Sequence, residues 1–91
     1  MDAFDKNIDV SKMYSGVSEK QVLGCILKNP SLMQEALSFI TASKVFYMTD
    51  HQHIWGAMYY LHQSNKDIDV ATVSNFLGEK GHKLTYYVSG L

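Results

Sequence analysis

The chain has 91 residues, room for one domain of ordinary size. Eight basic residues, all of them lysine, stand against nine Asp and Glu for a formal net charge of −1, and arginine is absent. That balance speaks against a reader of nucleic acid, because guanidinium forks are the usual tool for phosphate and guanine. A hydrophobic share of 46% with only 19% charged residues describes a chain that folds.

The single cysteine, Cys25, leaves no internal disulfide and fits a reducing compartment. No apolar run approaches the roughly 20 residues that span a bilayer, and the start of the chain lacks a basic-then-apolar leader pattern. A soluble, cytoplasmic protein with no membrane partner is expected.

Residues 1–17 show neither a helical nor a strand period and read as a flexible N-terminal arm, with Asp2, Asp5 and Asp9 scattered among isolated apolar residues. Ser18 followed by Gln21 has the spacing of a capping box and opens a first helix. Val22, Leu23, Ile26 and Leu27 form its apolar stripe. Gly24 lies within that helix, where its use is steric: it lets another backbone come close. Asn29-Pro30 ends this helix and restarts a second one, with Asn29 as its cap and Leu32, Met33, Ala36, Leu37 and Ile40 as its inner face.

Thr41 to Tyr47 reads as a connector whose Val45, Phe46 and Tyr47 carry bulk into the core. Thr49 or Asp50 is expected to cap a third helix running to about Gln63. Its stretch from Ile54 to Leu61 is apolar or aromatic around nearly the whole circumference, so this helix is central or one of its faces meets another molecule. After the polar turn Ser64 to Asp67, Asp69 caps a fourth helix with Val70, Val73, Phe76 and Leu77 inward, and Gly81 ends it. Leu84, Tyr87, Val88 and Leu91 begin a fifth. The expected fold is all-α, a small bundle of four helices plus the start of a fifth. Its core is placed at Val22, Leu23, Ile26, Leu37, Ile54, Trp55, Met58, Leu61, Val73 and Leu77.

Catalytic chemistry finds no foothold in the sequence. The pattern G-x-x-x-x-G-K-[ST] is missing, and Gly78-Glu79-Lys80-Gly81 closes a helix instead of opening one. His51 and His53, two apart on a helix, do not share a face for a metal, so no metal ligands are assigned. They read as a first-turn surface residue and a partly packed one. His62 reads as solvated, and Cys25 as an inert buried thiol. Alanine at His51, His53 or Cys25 is accordingly expected to leave folding and partner binding largely unchanged, with a modest packing loss at Cys25. Asp67 and Asp69 are explained by the turn. No catalytic residue is expected. What remains is surface for partners, with Tyr59, Tyr60, Tyr86 and Tyr87 as candidate protein-interface residues.

These residues also form a collinear series of motifs. Glu19 to Leu27 is similar to E-Q-x-V-L-G-x-[IL]-L, the opening helix of the N-terminal domain of DnaB-type replicative DNA helicases. Asn29 and Pro30 follow, then Phe46-Tyr47 with Val45 in place of an acid. His51 to Trp55 is similar to H-x-x-I-[FW], Ile68 to Val73 to P-I-D-x-x-T-[LV] without the proline, and Tyr87 to Leu91 to Y-[LV]-x-x-L. Thr85-Tyr86 stand where that family carries a Gly-Gly pair.

The resemblance covers residues 18–91 and implies a helical N-terminal domain that stops before its helical hairpin is complete. It implies a non-catalytic collar for ring assembly, as a dimer or hexamer, that docks primase or a helicase loader within a primosome in DNA replication. ATP and Mg are implied only for a motor domain that these residues do not include, so no cofactor is expected here and DNA is met only through the parent helicase. It makes His51 and His53 structural, holding the start of the third helix. The alternative is a stand-alone DNA-binding or adaptor helical domain.

Overall fold

In the computed structural model, residues 17–91 are described, with side chains from Glu19 onward. Five α-helices follow one another: α1 (Val17–Lys28), α2 (Leu32–Ala36), α3 (Thr49–Gln63), α4 (Val70–Glu79) and α5 (Thr85–Ser89), with a 3-10 turn at Ser43–Val45 between α2 and α3. Among the described residues no strand occurs. The chain is all-α, as its apolar spacing predicts. Helix α3 is the central element: α1, α4 and the 3-10 turn all pack against it, and α5 packs on α4.

The core is continuous. Val22, Leu23 and Ile26 of α1 meet Ile54, Trp55, Met58 and Leu61 of α3 and Val73 and Leu77 of α4, all of them buried. Leu37, expected among them, is half-buried and packs on the rim of this cluster. Met33, Ala36, Ile40, Phe46, Ala57, Ile68 and Val88 complete the interior. The Phe46 ring lies 5.7 Å from that of Trp55, so the connector before α3 is anchored on the central helix.

The helix ends show which local signals held. Asp69 accepts the Thr72 N–H at 2.8 Å while the Thr72 hydroxyl accepts the Asp69 N–H at 2.9 Å, a complete capping box opening α4. Gly81, at φ +87°, ends it: the His82 N–H bonds to the Leu77 carbonyl and the Gly81 N–H to that of Gly78. Helix α3 ends in the same motif with Asn65 at φ 57° as the left-handed residue. Gly24 is buried with the Leu91 carbonyl carbon 3.1 Å from where a Cβ would stand, the close backbone approach that its place in the helix suggested.

Four local expectations give way. The backbone is already helical at Val17, so Ser18 lies inside α1 and is not its cap; the rest of the expected arm lies outside the described residues. The second helix is shorter than its apolar pattern. After Ala36 the hydrogen bonds tighten to Ser38 N–H on Glu35 and Phe39 N–H on Ala36, and the Ser38 hydroxyl donates to the Glu35 carbonyl at 2.6 Å. Ile40 still reaches the core, because burial and not helical period fixes its place. The Asn29 side chain accepts from the Ser31 hydroxyl at 2.6 Å and caps no backbone N–H of α2. Tyr47 turns outward, 71% exposed, while Phe46 next to it is fully buried. Extended backbone at Phe46 sends successive side chains to opposite sides.

Gly56 lies on the exposed side of α3 with nothing within 4 Å of a would-be Cβ. Gly56→Ala is expected to stabilise the isolated domain by about 0.5–1 kcal/mol. Asp69→Ala is expected to cost about 1 kcal/mol through loss of the cap. Urea unfolding followed by circular dichroism measures both.

Candidate functional site

The most unusual chemistry of the fold sits where α1, α3 and α5 meet. Glu19, in the first turn of α1, and His51, in the first turn of α3, are both fully buried. A carboxylate without water is expensive unless every lone pair finds a donor. Three donors surround this one: the His51 Nδ1–H at 2.6 Å, the Met48 N–H at 3.3 Å and the Tyr47 N–H in a short bond. His51 Nε2 in turn pairs with the Tyr87 hydroxyl of α5. Because an ionised carboxylate only accepts, the imidazole donates to it from Nδ1.

The Glu19 carboxylate thereby does the work expected of Thr49 or Asp50. The N-cap position of α3 is Met48, with no side-chain cap of its own, and the anion from α1 takes up the two N–H groups that lead into the helix. Negative charge at a helix N-terminus is also favoured by the helix dipole. His51 is therefore no surface residue: its ring is stacked 5.7 Å from that of Tyr87 and meets Phe46 edge-on at 6.4 Å. The same packing turns Tyr87 inward, away from the partner-facing role assigned to it. Burial holds the Tyr87 hydroxyl above the usual tyrosine range, and the negative charges of Asp50 and Glu19 push it further the same way. A tyrosine so placed keeps its proton. The Lys20 ammonium lies 5.7 Å from its ring centre.

The other singled-out residues are dispersed. His53 stacks on His82 with 3.8 Å between ring centres, on the far side of the helix turn from His51's partners, and its Nδ1 is buried without a partner among the described residues. Among those residues no three His, Cys, Asp or Glu side chains gather as a metal site. His62 bonds to the Gln34 side chain at 3.2 Å. Cys25 is half-buried, not enclosed as expected, and lines a shallow groove with Lys20, Lys28 and Leu91. Asp69 is occupied as a cap.

Of the four candidate tyrosines, Tyr59, Tyr60 and Tyr86 are 47%, 49% and 94% exposed. They do not converge. Tyr59 borders a groove with Thr41, Ser43 and Gly56. Tyr60 packs its ring against Phe76 on α4, with 4.7 Å between centres. Sequence reasoning missed the exposed Tyr47 and Met48, which flank the Glu19 cap; no residue-type signal separates them from the buried Phe46 beside them.

The family model for the DnaB-like helicase N-terminal domain matches residues 11–89. The chain belongs to that family. The match opens upstream of Ser18 and takes in every helix of the bundle. No curated protein and no solved structure matches the chain. Within this DnaB-type domain, Glu19 of the E-Q-x-V-L-G motif and His51 of the H-x-x-I-W motif are the two ends of one hydrogen bond. Among the described residues, no helix is long and apolar enough to cross a membrane.

Glu19→Ala would leave the His51 ring and two backbone N–H groups buried without their acceptor, and a loss of about 3 kcal/mol or more is expected. His51→Ala is expected to destabilise as well. Tyr87→Phe removes one hydrogen bond, for about 1 kcal/mol. Tyr87 is held protonated in the folded state, so the unfolded chain releases that proton first as pH rises. Its contribution is complete below about pH 10, the ordinary tyrosine value, and is lost as pH climbs through the raised folded value. Thermal unfolding of wild type and Tyr87→Phe from pH 8 to 12 measures this: the variant lacks Tyr87's share of the alkaline fall.

Proposed function

We propose that this domain is the non-catalytic N-terminal domain of a replicative DNA helicase, acting in DNA replication as a collar for ring assembly and as the docking point for a primase or helicase loader. In this reading it associates with copies of itself as a dimer or hexamer and reaches DNA only through the helicase. ATP and Mg serve a separate motor domain, and the setting is cytoplasmic. Family membership supports the helicase parentage. The observation that carries the docking role is the set of aromatic side chains left outside a completed core: Tyr47, Tyr59, Tyr60 and Tyr86, in a chain whose apolar interior is already continuous. Aromatic residues so placed are enriched where proteins meet.

The test is sedimentation over a concentration range, together with calorimetric titration of the primase encoded with this helicase. Concentration-dependent association and saturable primase binding are expected. Tyr59→Ala and Tyr86→Ala, both at exposed positions, should leave the helical circular dichroism unchanged, and at least one should weaken a contact tenfold or more. A chain that stays monomeric and binds no primase would end the proposal, as would tight duplex binding that survives physiological salt.

A further inference from the structure

Between α3 and α4 runs an open groove of about 330 Å³ that the core does not use. Its floor is the edge-to-face pair of Tyr60 and Phe76. A lysine stands at each ring: the Lys66 ammonium 5.9 Å from the centre of Tyr60, and the Lys80 ammonium 5.4 Å from that of Phe76. Cation–π attraction keeps each ammonium near its ring and leaves N–H groups free to donate elsewhere. Among the described residues neither lysine is in an ion pair. Both belong to helix ends fixed by the left-handed residues Asn65 and Gly81, so the fold sets their positions.

We propose that this groove binds a short acidic segment of a partner protein, with an aromatic or large apolar side chain laid on the Tyr60–Phe76 floor and carboxylates on either side meeting Lys66 and Lys80. The assignment deepens the docking reading above and rests on it for its biological occupant. Charge complementarity argues for the carboxylates, since two unpaired ammonium groups frame an otherwise apolar floor. The remaining polar groups decide the class of occupant. Glu79 presents an acceptor, and the Asn75 side-chain amide, bonded to nothing among the described residues, offers both donor and acceptor. A peptide backbone brings the N–H and C=O groups that these two need. A phosphate backbone brings acceptors alone, so it offers Glu79 no donor, and the chain has no arginine to fork a phosphate.

The experiment is a nuclear magnetic resonance titration of the 91-residue chain with a blocked nine-residue peptide, one central phenylalanine flanked by aspartates. Two controls accompany it: the same peptide with lysines in place of aspartates, and an oligothymidylate. Saturable shifts confined to Tyr60, Phe76, Asn75 and the two lysines are expected with the acidic peptide alone. Lys66→Glu with Lys80→Glu, both exposed and away from the core, should weaken that binding at least tenfold and admit the lysine peptide instead.

Absence of shifts at roughly millimolar peptide, equal binding of both peptides, or shifts of the same residues by the oligothymidylate at physiological salt would each overturn the proposal. Primase titrations distinguish the two levels. A wild-type chain that binds no primase defeats the docking reading, whatever the peptide does. Binding of primase beside a groove that ignores the acidic peptide defeats this assignment alone.

Discussion

One buried carboxylate holds three helices in relation. Glu19 leaves water entirely and accepts from the imidazole of His51 and from the two backbone N–H groups that lead into α3, and His51 passes the constraint on to Tyr87 of α5. Apolar packing is tolerant of small slides between helices, whereas a desolvated anion is not: moved out of place, it would strand its donors and itself. The hydrophobic interior supplies the bulk of the driving force, and the polar chain ties α1, α3 and α5 together at one point of it.

That division of labour explains the disposition of the surface. With α3 pinned at its first turn by α1 and packed against α4 and the 3-10 turn, the helix buries only part of its circumference. The rest emerges in two places, beside Gly56 and Tyr59 on one side and at Tyr60 against Phe76 on the other. A central helix that is apolar nearly all round, in a domain too small to surround it, has to present aromatic surface to something else. The docking role proposed for this DnaB-type domain is the biological counterpart of that shortage of cover.

The lysines share in this economy of position. Lys66 and Lys80 each follow a helix that ends in a left-handed residue, and each stands over an aromatic ring at the mouth of one groove. They come to line one groove because the packing of α3 on α4 lays the Tyr60 ring against that of Phe76.

Local chemistry settled much in advance. Spacing of apolar residues gave the helices and nearly all of the core; Asp69 with Thr72, and Gly81, fixed the limits of α4; Gly24 marked a close backbone approach; and the ordered run of motifs pointed to the family. Each of these depends on contacts within a few residues or on one stripe of one helix, so they can be read along the chain. The long-range polar bonds could not. Glu19 and His51 are 32 residues apart, and nothing in either segment says that one carboxylate caps the other's helix. Their meeting turned a histidine expected at the surface into a buried one, drew Tyr87 inside, and left Tyr47 outside. Burial depends on which helices face each other, and only tertiary packing decides that.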